Sequence, residues 1–152
     1  MNVIKTNKLS DSHSSQINQM WNAEYPIKLK DRFPILLEGV ENYNHYIIED
    51  AEQNIMAWAV DFEKENETRF SIIVNSIHKG KGLGSKLVER LKLENKLFYG
   101  WVIDHNNDMK ENGTLYITPI PFYLKHGFEI LHNERIETEM IQAVKVKWSV
   151  NR

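Results

Sequence analysis

The sequence contains no cysteine among its 152 residues, which excludes disulfides, thiolate metal sites and a cysteine nucleophile. It also lacks any apolar run near the length of a membrane span or of a secretory signal, and its first residues read as a short strand. We therefore expect a cytoplasmic protein that makes no membrane contact. The formal net charge is only -2, so the composition gives no general bias toward nucleic acid.

The sequence contains enough hydrophobic residues to form the core of one domain. Hydrophobic residues make up 41% of the chain, which suits a single domain over residues 1–152 with its own core. The six histidines show no ligand spacing such as His-x-x-x-His, so no metal site is predicted. Any chemistry must therefore come from oxygen and nitrogen groups without a thiol.

Three glycines alternate in Lys79-Gly80-Lys81-Gly82-Leu83-Gly84, between an apolar strand pattern and a helix pattern. Glycine permits positive φ and a close ligand approach, and the first N–H groups of the following helix lack partners within the helix. The helix dipole and the nearby lysines add positive charge. The segment therefore predicts a turn that binds a phosphate or pyrophosphate group.

The spacing of these glycines excludes two common phosphate loops. A nucleoside-triphosphate loop needs four residues between its first glycine and Gly-Lys-Ser/Thr, and a dinucleotide fingerprint needs two residues after its second glycine. The segment Lys79–Gly84 instead resembles the Arg/Gln-x-x-Gly-x-Gly/Ala signature of the GNAT superfamily of acyl-CoA-dependent N-acetyltransferases, with lysine at its first position. Pro121–Ile130, which contains Phe122-Tyr123 and Gly127-Phe128, resembles the second GNAT pattern, a short helix that passes into a strand.

The resemblance implies an α/β (α+β) fold: a mixed, mostly antiparallel sheet of about seven strands, helices on both faces and a V-shaped cofactor cleft. The residue pattern predicts the elements independently. Predicted strands are Asn2–Thr6, His45–Glu49, Ile55–Phe62, Arg69–Val74, Leu97–Asp104, Phe128–Asn133 and Ala143–Ser149. Predicted helices run from Ser10 to about Trp21, from about Asp31 to Glu38, from Gly84 onward, and from a late start near Thr118–Pro121. We expect a loop at 105–113.

Site roles follow from the same resemblance. Acetyl-CoA is the implied cosubstrate, and its pantetheine arm would bind main-chain groups of Ile72 and Val74, with an N–H near Val74 facing the thioester oxygen. Tyr123 would protonate the departing thiolate, since a phenol with a pKa of about 10 stays protonated at neutral pH. The implied pyrophosphate contacts are Lys79, Gly80, Lys81, Gly82, Leu83, Gly84 and Ser85.

The general base is left open by the sequence. No carboxylate lies within Arg69–Ile73, where many relatives carry a glutamate. The alternatives at predicted strand ends are Asp61, Glu63, Asp104 and His105, or an ordered water chain. The family's asparagine contact has no direct counterpart, and Asn106 or Asn107 are the candidates to replace it.

The acceptor is expected to be a small-molecule or peptide amine, bound opposite the cofactor near the first two predicted helices. The alternative function is a non-catalytic acetyl-CoA-binding sensor or interaction module of the same fold. A homodimer is also considered. Available wall residues are the aromatics Trp21, Tyr25, Phe33, Tyr43, Tyr46, Trp58 and Trp101 and the acids Glu24, Asp31 and Glu38.

Overall fold

The computed structural model describes residues 2–150. In this part of the chain, seven strands form one sheet and three α-helices flank it. The strands are β1 (Ile4–Thr6), β2 (Tyr43–Glu49), β3 (Ile55–Lys64), β4 (Glu67–Val74), β5 (Leu97–Ile103), β6 (Glu129–Glu137) and β7 (Gln142–Ser149). The helices are α1 (Asp11–Glu24), α2 (Leu83–Glu94) and α3 (Ile120–Lys125).

The sheet order is β1-β2-β3-β4-β5-β7-β6. Short turns join β2, β3 and β4 into an antiparallel meander, whereas β4 connects to β5 through α2 and pairs with it in parallel. Every other neighbouring pair is antiparallel. The predicted mixed, mostly antiparallel sheet of seven strands is therefore confirmed.

Helix α1 begins where its sequence predicts. The Ser10 side chain accepts a hydrogen bond from the His13 N–H at 3.0 Å and caps the first turn. The helix continues to Glu24, beyond the predicted end near Trp21, and the Tyr25 N–H still donates to the Trp21 carbonyl. Pro26 then stops it, because proline disfavours helical conformation in the residue before it. None of the helices in residues 2–150 is long and apolar enough to cross a membrane.

The predicted helix at Asp31–Glu38 is wrong. The structure has only two short 3₁₀ turns in this region, at Ile27–Leu29 and Phe33–Ile35. Asp31 takes a φ of 63°, and its N–H donates to the Asn22 side chain at 2.8 Å, so the backbone is fixed outside helical space.

The two faces of the sheet bury separate apolar clusters, which confirms helices on both faces. Helix α1 packs on one face over a cluster centred on Ile17, Trp21, Trp58 and Val60. Helices α2 and α3 pack on the other face. The large apolar members of that second cluster include Tyr46, Ile48, Phe70, Leu83, Leu87, Leu91, Phe98, Tyr123 and Phe128.

Candidate active site

Strands β4 and β5 separate soon after they meet. Their one Cα pairing is Arg69 with Tyr99, at the start of β4. From there to Val74, β4 pairs only with β3, and β5 pairs only with β7. A cavity of about 820 Å³ lies in this gap, a volume typical of ligand sites. The predicted V-shaped cleft is therefore present.

The main chain of β4 supplies hydrogen-bonding groups along the cleft. The Asn75 N–H donates to the Met56 carbonyl at 2.9 Å, so it points toward β3. Because backbone groups of alternate residues point to opposite sides of an antiparallel strand, those of Val74 and Ile72 point away from β3. Both residues line the cavity. The edge of β4 thus offers unpaired N–H and C=O groups at the two predicted positions.

The glycine turn closes one end of the cleft. Gly80 and Gly82 have φ values of 83° and 77°, which residues other than glycine rarely adopt. Nothing lies within 4 Å of a Cβ atom placed at either position. Gly82 also precedes the first residue of α2 without a side-chain cap. The helix N–H groups of Leu83–Ser85 therefore face the cavity without a side-chain acceptor.

Most of the predicted loop residues line the cavity, and one does not. Lys79 does so, together with Gly80 and the segment from Gly82 to Ser85. Lys81 lies outside the lining and instead places its Nζ atom 3.3 Å from the Nδ1 atom of His78. His78 lines the cavity in its place, a contact that the glycine pattern alone did not predict.

Gly84 and Ser85 connect the turn to α3. A Cβ at Gly84 would lie 3.2 Å from the ring of Phe122, so this glycine permits close packing rather than an unusual φ. The Ser85 hydroxyl lies 3.0 Å from the Nε2 atom of His126. Burial, and then the charge of Lys92, lowers the pKa of His126, which favours its neutral ring. Sequence reasoning missed His126, because only the fold brings α3 beside this turn.

Tyr123 lies on α3 with 7% of its surface exposed. Its ring packs against Phe70, Phe122 and Phe128 at centroid distances of 5.6, 5.2 and 5.1 Å. The residue lines the cleft, and no side chain within residues 2–150 hydrogen-bonds its hydroxyl. Burial raises the pKa of Tyr123 well above its ordinary value, so the phenol remains a neutral acid.

A glycine in β5 makes room for the aromatic cluster beside Tyr123. A Cβ at Gly100 would lie 2.5 Å from the ring of Phe70, too close for any ordinary contact. Phe70 in turn packs on both Phe98 and Tyr123. Sequence reasoning missed this role of Gly100, because an isolated glycine in a strand pattern has no local explanation.

The opposite wall of the cleft comes from α1 and the loop after β5. Three of the seven candidate aromatics line it, Trp21, Tyr25 and Trp101. Tyr116 joins them from the loop, with its ring 6.3 Å from that of Tyr25. Burial raises the pKa of Tyr25, and the neighbouring side chain of Ser71 offsets only part of this shift. The other candidate aromatics lie outside the lining: Phe33, Tyr43, Tyr46 and Trp58.

Glu24 is the one carboxylate that lines the cleft within the described residues. Its oxygens accept hydrogen bonds from the Ser76 N–H at 2.8 Å and from the Ser76 hydroxyl at 2.6 Å. The Nζ atoms of Lys79 and Lys110 each lie 3.6 Å from Oε1. Glu24 therefore ties the end of α1 to the start of the glycine turn, and its charge is already compensated. Asp31 and Glu38, the other two candidate acids, lie outside the lining.

None of the four candidate bases lines the cleft. Asp61 accepts hydrogen bonds from Tyr46 at 2.7 Å and from Asn95 at 2.8 Å, on the α2 side of the sheet. Hydrogen bonds from Arg135 lower the pKa of Asp104. The other two also have local partners, Thr68 for Glu63 and the Asn107 N–H for His105.

The polar segment after β5 is a loop, as predicted. Two antiparallel backbone pairings outside the strands hold it in place, one between Pro26 and Lys110 and one between Met109 and Leu115. The Asn106 side chain accepts a hydrogen bond from the Thr118 N–H at 2.8 Å and positions the chain before α3. Neither Asn106 nor Asn107 lines the cleft, so neither replaces the missing asparagine contact in this structure.

Sequence similarity to a known family agrees with this geometry. The profile described as acetyltransferase (GNAT) domain matches residues 41–130, which span β2 to the start of β6. The chain belongs to the GNAT acetyltransferase family. The match includes the glycine turn, the split strands and Tyr123. A search of curated proteins gives no significant match.

Solved structures share the GNAT fold over almost the whole chain. The aminoglycoside 6'-N-acetyltransferase from Enterococcus faecium has a TM-score of 0.67 at 13% identity, covering 100% of this chain and 98% of its own. A spermidine N-acetyltransferase variant from Vibrio cholerae has a TM-score of 0.64 at 15% identity, with coverage of 99% and 95%. The protein yncA from Salmonella typhimurium, solved with its cofactor acetyl-CoA, has a TM-score of 0.62 at 13% identity, with coverage of 100% and 96%.

Proposed function

We propose that this GNAT domain transfers an acetyl group from acetyl-CoA to a primary amine by direct attack of the amine on the thioester. The observation that carries the proposal is the open seam between β4 and β5, with unpaired β4 main chain along it. A glycine turn stands at one end of that seam, and a buried phenol stands beside it. Support for acetyl-CoA also comes from yncA, the structural neighbour that binds it.

In this proposal the cofactor lies along β4 as an added strand. Main-chain groups of Ile72 and Val74 bind the pantetheine arm, and the N–H near Val74 faces the thioester oxygen. The turn from Lys79 to Ser85 holds the pyrophosphate through helix N–H groups and lysine charge. The cavity and the positive φ values of Gly80 and Gly82 leave open space for such a ligand.

The reaction balances without a metal ion or a cysteine. A neutral amine attacks the thioester carbonyl, and collapse of the tetrahedral intermediate breaks the C–S bond. Tyr123 gives its proton to the thiolate, and the proton lost by nitrogen returns to solvent or to the phenol through water. Because no uncompensated carboxylate lines the cleft in the described residues, we assign the base role to water.

Other parts of the hypothesis stay predictions. The chain is proposed to act as one domain, 1–152, with a small-molecule or peptide amine as acceptor. The similarity to aminoglycoside and spermidine acetyltransferases supports the general acceptor class of amines. A cytoplasmic location stays a prediction, and a homodimer is one of the oligomeric states considered.

One observation favours the alternative of a non-catalytic acetyl-CoA sensor. Glu24, the carboxylate at the cleft, is held by Ser76, Lys79 and Lys110, so no residue stands ready to accept the amine proton. A sensor needs only the cofactor side of the cleft. Tyr123 argues for the enzyme, because cofactor binding alone gives no role to a hydroxyl group that faces the cleft without a side-chain partner among residues 2–150.

A thiol-release assay separates the two functions. Purified protein is incubated with acetyl-CoA and a pool of primary amines, and free CoA is measured against a control without amine. Amine-dependent CoA release that scales with protein concentration supports the enzyme. Calorimetric binding of acetyl-CoA without any amine-dependent release supports the sensor, and absence of binding contradicts both.

A further inference from the structure

The acceptor wall of the cleft is apolar over most of its surface. It includes Trp21, Leu36, Phe62 and Trp101, and Ile141 contributes from the turn between β6 and β7. Binding is favoured when such a wall covers the apolar or aromatic surface of a ligand and removes it from water. It offers little to a hydrated, highly charged chain, because burial of an unpaired charge is costly.

The charges around the cleft are unfavourable for a polycation. Lys64 and Arg69 line the cavity where β3 and β4 join, at the end opposite the glycine turn. Glu24 is the one lining carboxylate among residues 2–150, and two lysine Nζ atoms already lie 3.6 Å from it. Arg69 is paired with Glu65 at 3.2 Å and with Glu67 at 2.9 Å, so Lys64 is the repelling charge at that end. An acceptor with several ammonium groups would therefore meet Lys64 and no uncompensated acid in the lining, which selects against it.

Three hydroxyl groups lie within the apolar wall, those of Tyr25, Ser71 and Tyr116. Tyr25 and Ser71 both line the cleft, and the ring of Tyr116 lies 6.3 Å from that of Tyr25. Burial raises the pKa values of both tyrosines, so neither becomes a phenolate counter-ion for an ammonium group. Neutral hydroxyls accept hydrogen bonds from a neutral amine at little cost. The wall thus provides acceptors for a neutral amine and no uncompensated acid for a second, positively charged group.

We infer that the acceptor is a primary amine on an apolar or aromatic body, with a single amino group and no other positive charge. This inference rests on the proposed function and narrows it. It also separates this chain from the aminoglycoside and spermidine acetyltransferases that share its fold. The amine would lie near Tyr25 and Ser71, and the body would extend along Trp21 and Leu36.

The first experiment compares two amines on the wild-type protein. 2-Phenylethylamine and spermidine are each titrated at saturating acetyl-CoA, and CoA release gives kcat/KM for both. We expect kcat/KM to be at least tenfold higher for 2-phenylethylamine. The same ranking is then applied to every amine of the pool that reacts, with polycations set against apolar monoamines.

A charge-insertion variant tests the electrostatic part of the argument. Ile117 lines the cleft and is 65% exposed, so its replacement spares the core. Ile117→Glu should raise kcat/KM for spermidine about two- to fivefold, the range for one partly exposed ion pair. Ile117→Gln has the same shape without the charge and should give no gain. Leu93→Glu adds the same charge on α2 outside the cleft, where Leu93 is 84% exposed, and should also give none.

The possible results distinguish this inference from the function beneath it. If spermidine or another polycation reacts as well as the apolar monoamines or better, the inference is wrong and the transferase function stands. An equal gain for spermidine in the Glu and Gln variants at 117 also overturns it. If acetyl-CoA binds and no amine reacts, both the proposed transferase and this inference are wrong.

Discussion

Replacement of Tyr123 by phenylalanine isolates the proposed acid. The substitution keeps the ring that packs against Phe70, Phe122 and Phe128, and it removes one oxygen and its proton. The hydroxyl has no hydrogen-bond partner within residues 2–150, so its loss leaves no buried group unpaired. We therefore expect the free energy of unfolding to change by less than about 1 kcal/mol.

The effect on turnover should be much larger. Loss of one general acid lowers kcat by roughly tenfold to a thousandfold when water can partly replace it. That range corresponds to about 1.4 to 4 kcal/mol of transition-state free energy. Affinity for acetyl-CoA should be unchanged, because β4 and the glycine turn supply the proposed cofactor contacts. The substitution should thus separate binding from chemistry.

The assay measures CoA release with an authentic acceptor, calorimetric affinity for acetyl-CoA and thermal unfolding. Tyr99→Phe is the matched control, since Tyr99 lies outside the cleft with Lys145 over its ring and should keep wild-type kcat. If the folded Tyr123→Phe protein turns over at the wild-type rate, the phenol is only a packing residue. The proton then comes from elsewhere.

The pH dependence provides a second check on Tyr123. Burial raises its folded pKa above the value of about 10 for an unfolded chain, so the folded state keeps the proton more tightly. The stabilisation this contributes is present below about pH 10 and is lost as the pH rises further. We therefore expect that ionisation of Tyr123 causes no fall in kcat below about pH 10. Profiles of kcat against pH for the wild type and for Tyr123→Phe should have the same shape up to that pH.

Three further substitutions test other parts of the structure. Gly82→Ala should weaken acetyl-CoA binding at least tenfold in calorimetry, about 1.4 kcal/mol, because its Cβ occupies the proposed pyrophosphate space. Gly100→Ala should destabilise the protein by about 1 to 3 kcal/mol in denaturant unfolding, since its Cβ would meet the Phe70 ring at 2.5 Å. Burial lowers the pKa of His45 to about 4, so the free energy of unfolding of the wild type should fall by up to about 3 kcal/mol between pH 6.5 and 4. His45→Gln should remove this dependence of the free energy of unfolding on pH.

Each of these variants has a matched comparison. Gly39 has the same φ of 77° as Gly82 and equally open surroundings, so Gly39→Ala should cost similar stability and leave cofactor affinity unchanged. Phe70→Leu should recover stability in the Gly100→Ala background if the ring contact is the cause. His132 is exposed, and His132→Gln should keep the wild-type dependence of the free energy of unfolding on pH between 6.5 and 4. Equal effects within a pair, or no recovery in the double variant, would contradict the assigned cause.

The sequence was most informative where a local rule determines the backbone. Alternating glycines before a helix predicted the turn, and apolar patterns located all seven strands to within a few residues. The cap at Ser10 predicted the start of α1, and the prolines near Thr118 predicted the late start of α3. Each of these features depends on neighbours within a few positions, which the sequence records directly.

Features that depend on distant neighbours were not predictable in the same way. The segment from Asp31 to Glu38 has helical spacing, but a contact from Asn22 fixes Asp31 outside helical space. The pairing of Ser85 with His126 and the fit of Gly100 to the Phe70 ring join residues far apart in sequence. The engagement of Glu24 by Ser76 likewise depends on how α1 meets the end of β4.

Under the proposed function, the split in the sheet lets one strand serve two ligands. Side chains of β4 alternate between faces, so Arg69, Ser71 and Ile73 face α1, whereas Ile72 and Val74 face α2. Backbone groups of Ile72 and Val74 point into the seam and have no strand partner there. Unpaired backbone groups are costly unless water or a ligand satisfies them. A cofactor that pairs with this edge would therefore stabilise the sheet where it is weakest, and the acceptor would reach the thioester from the α1 face.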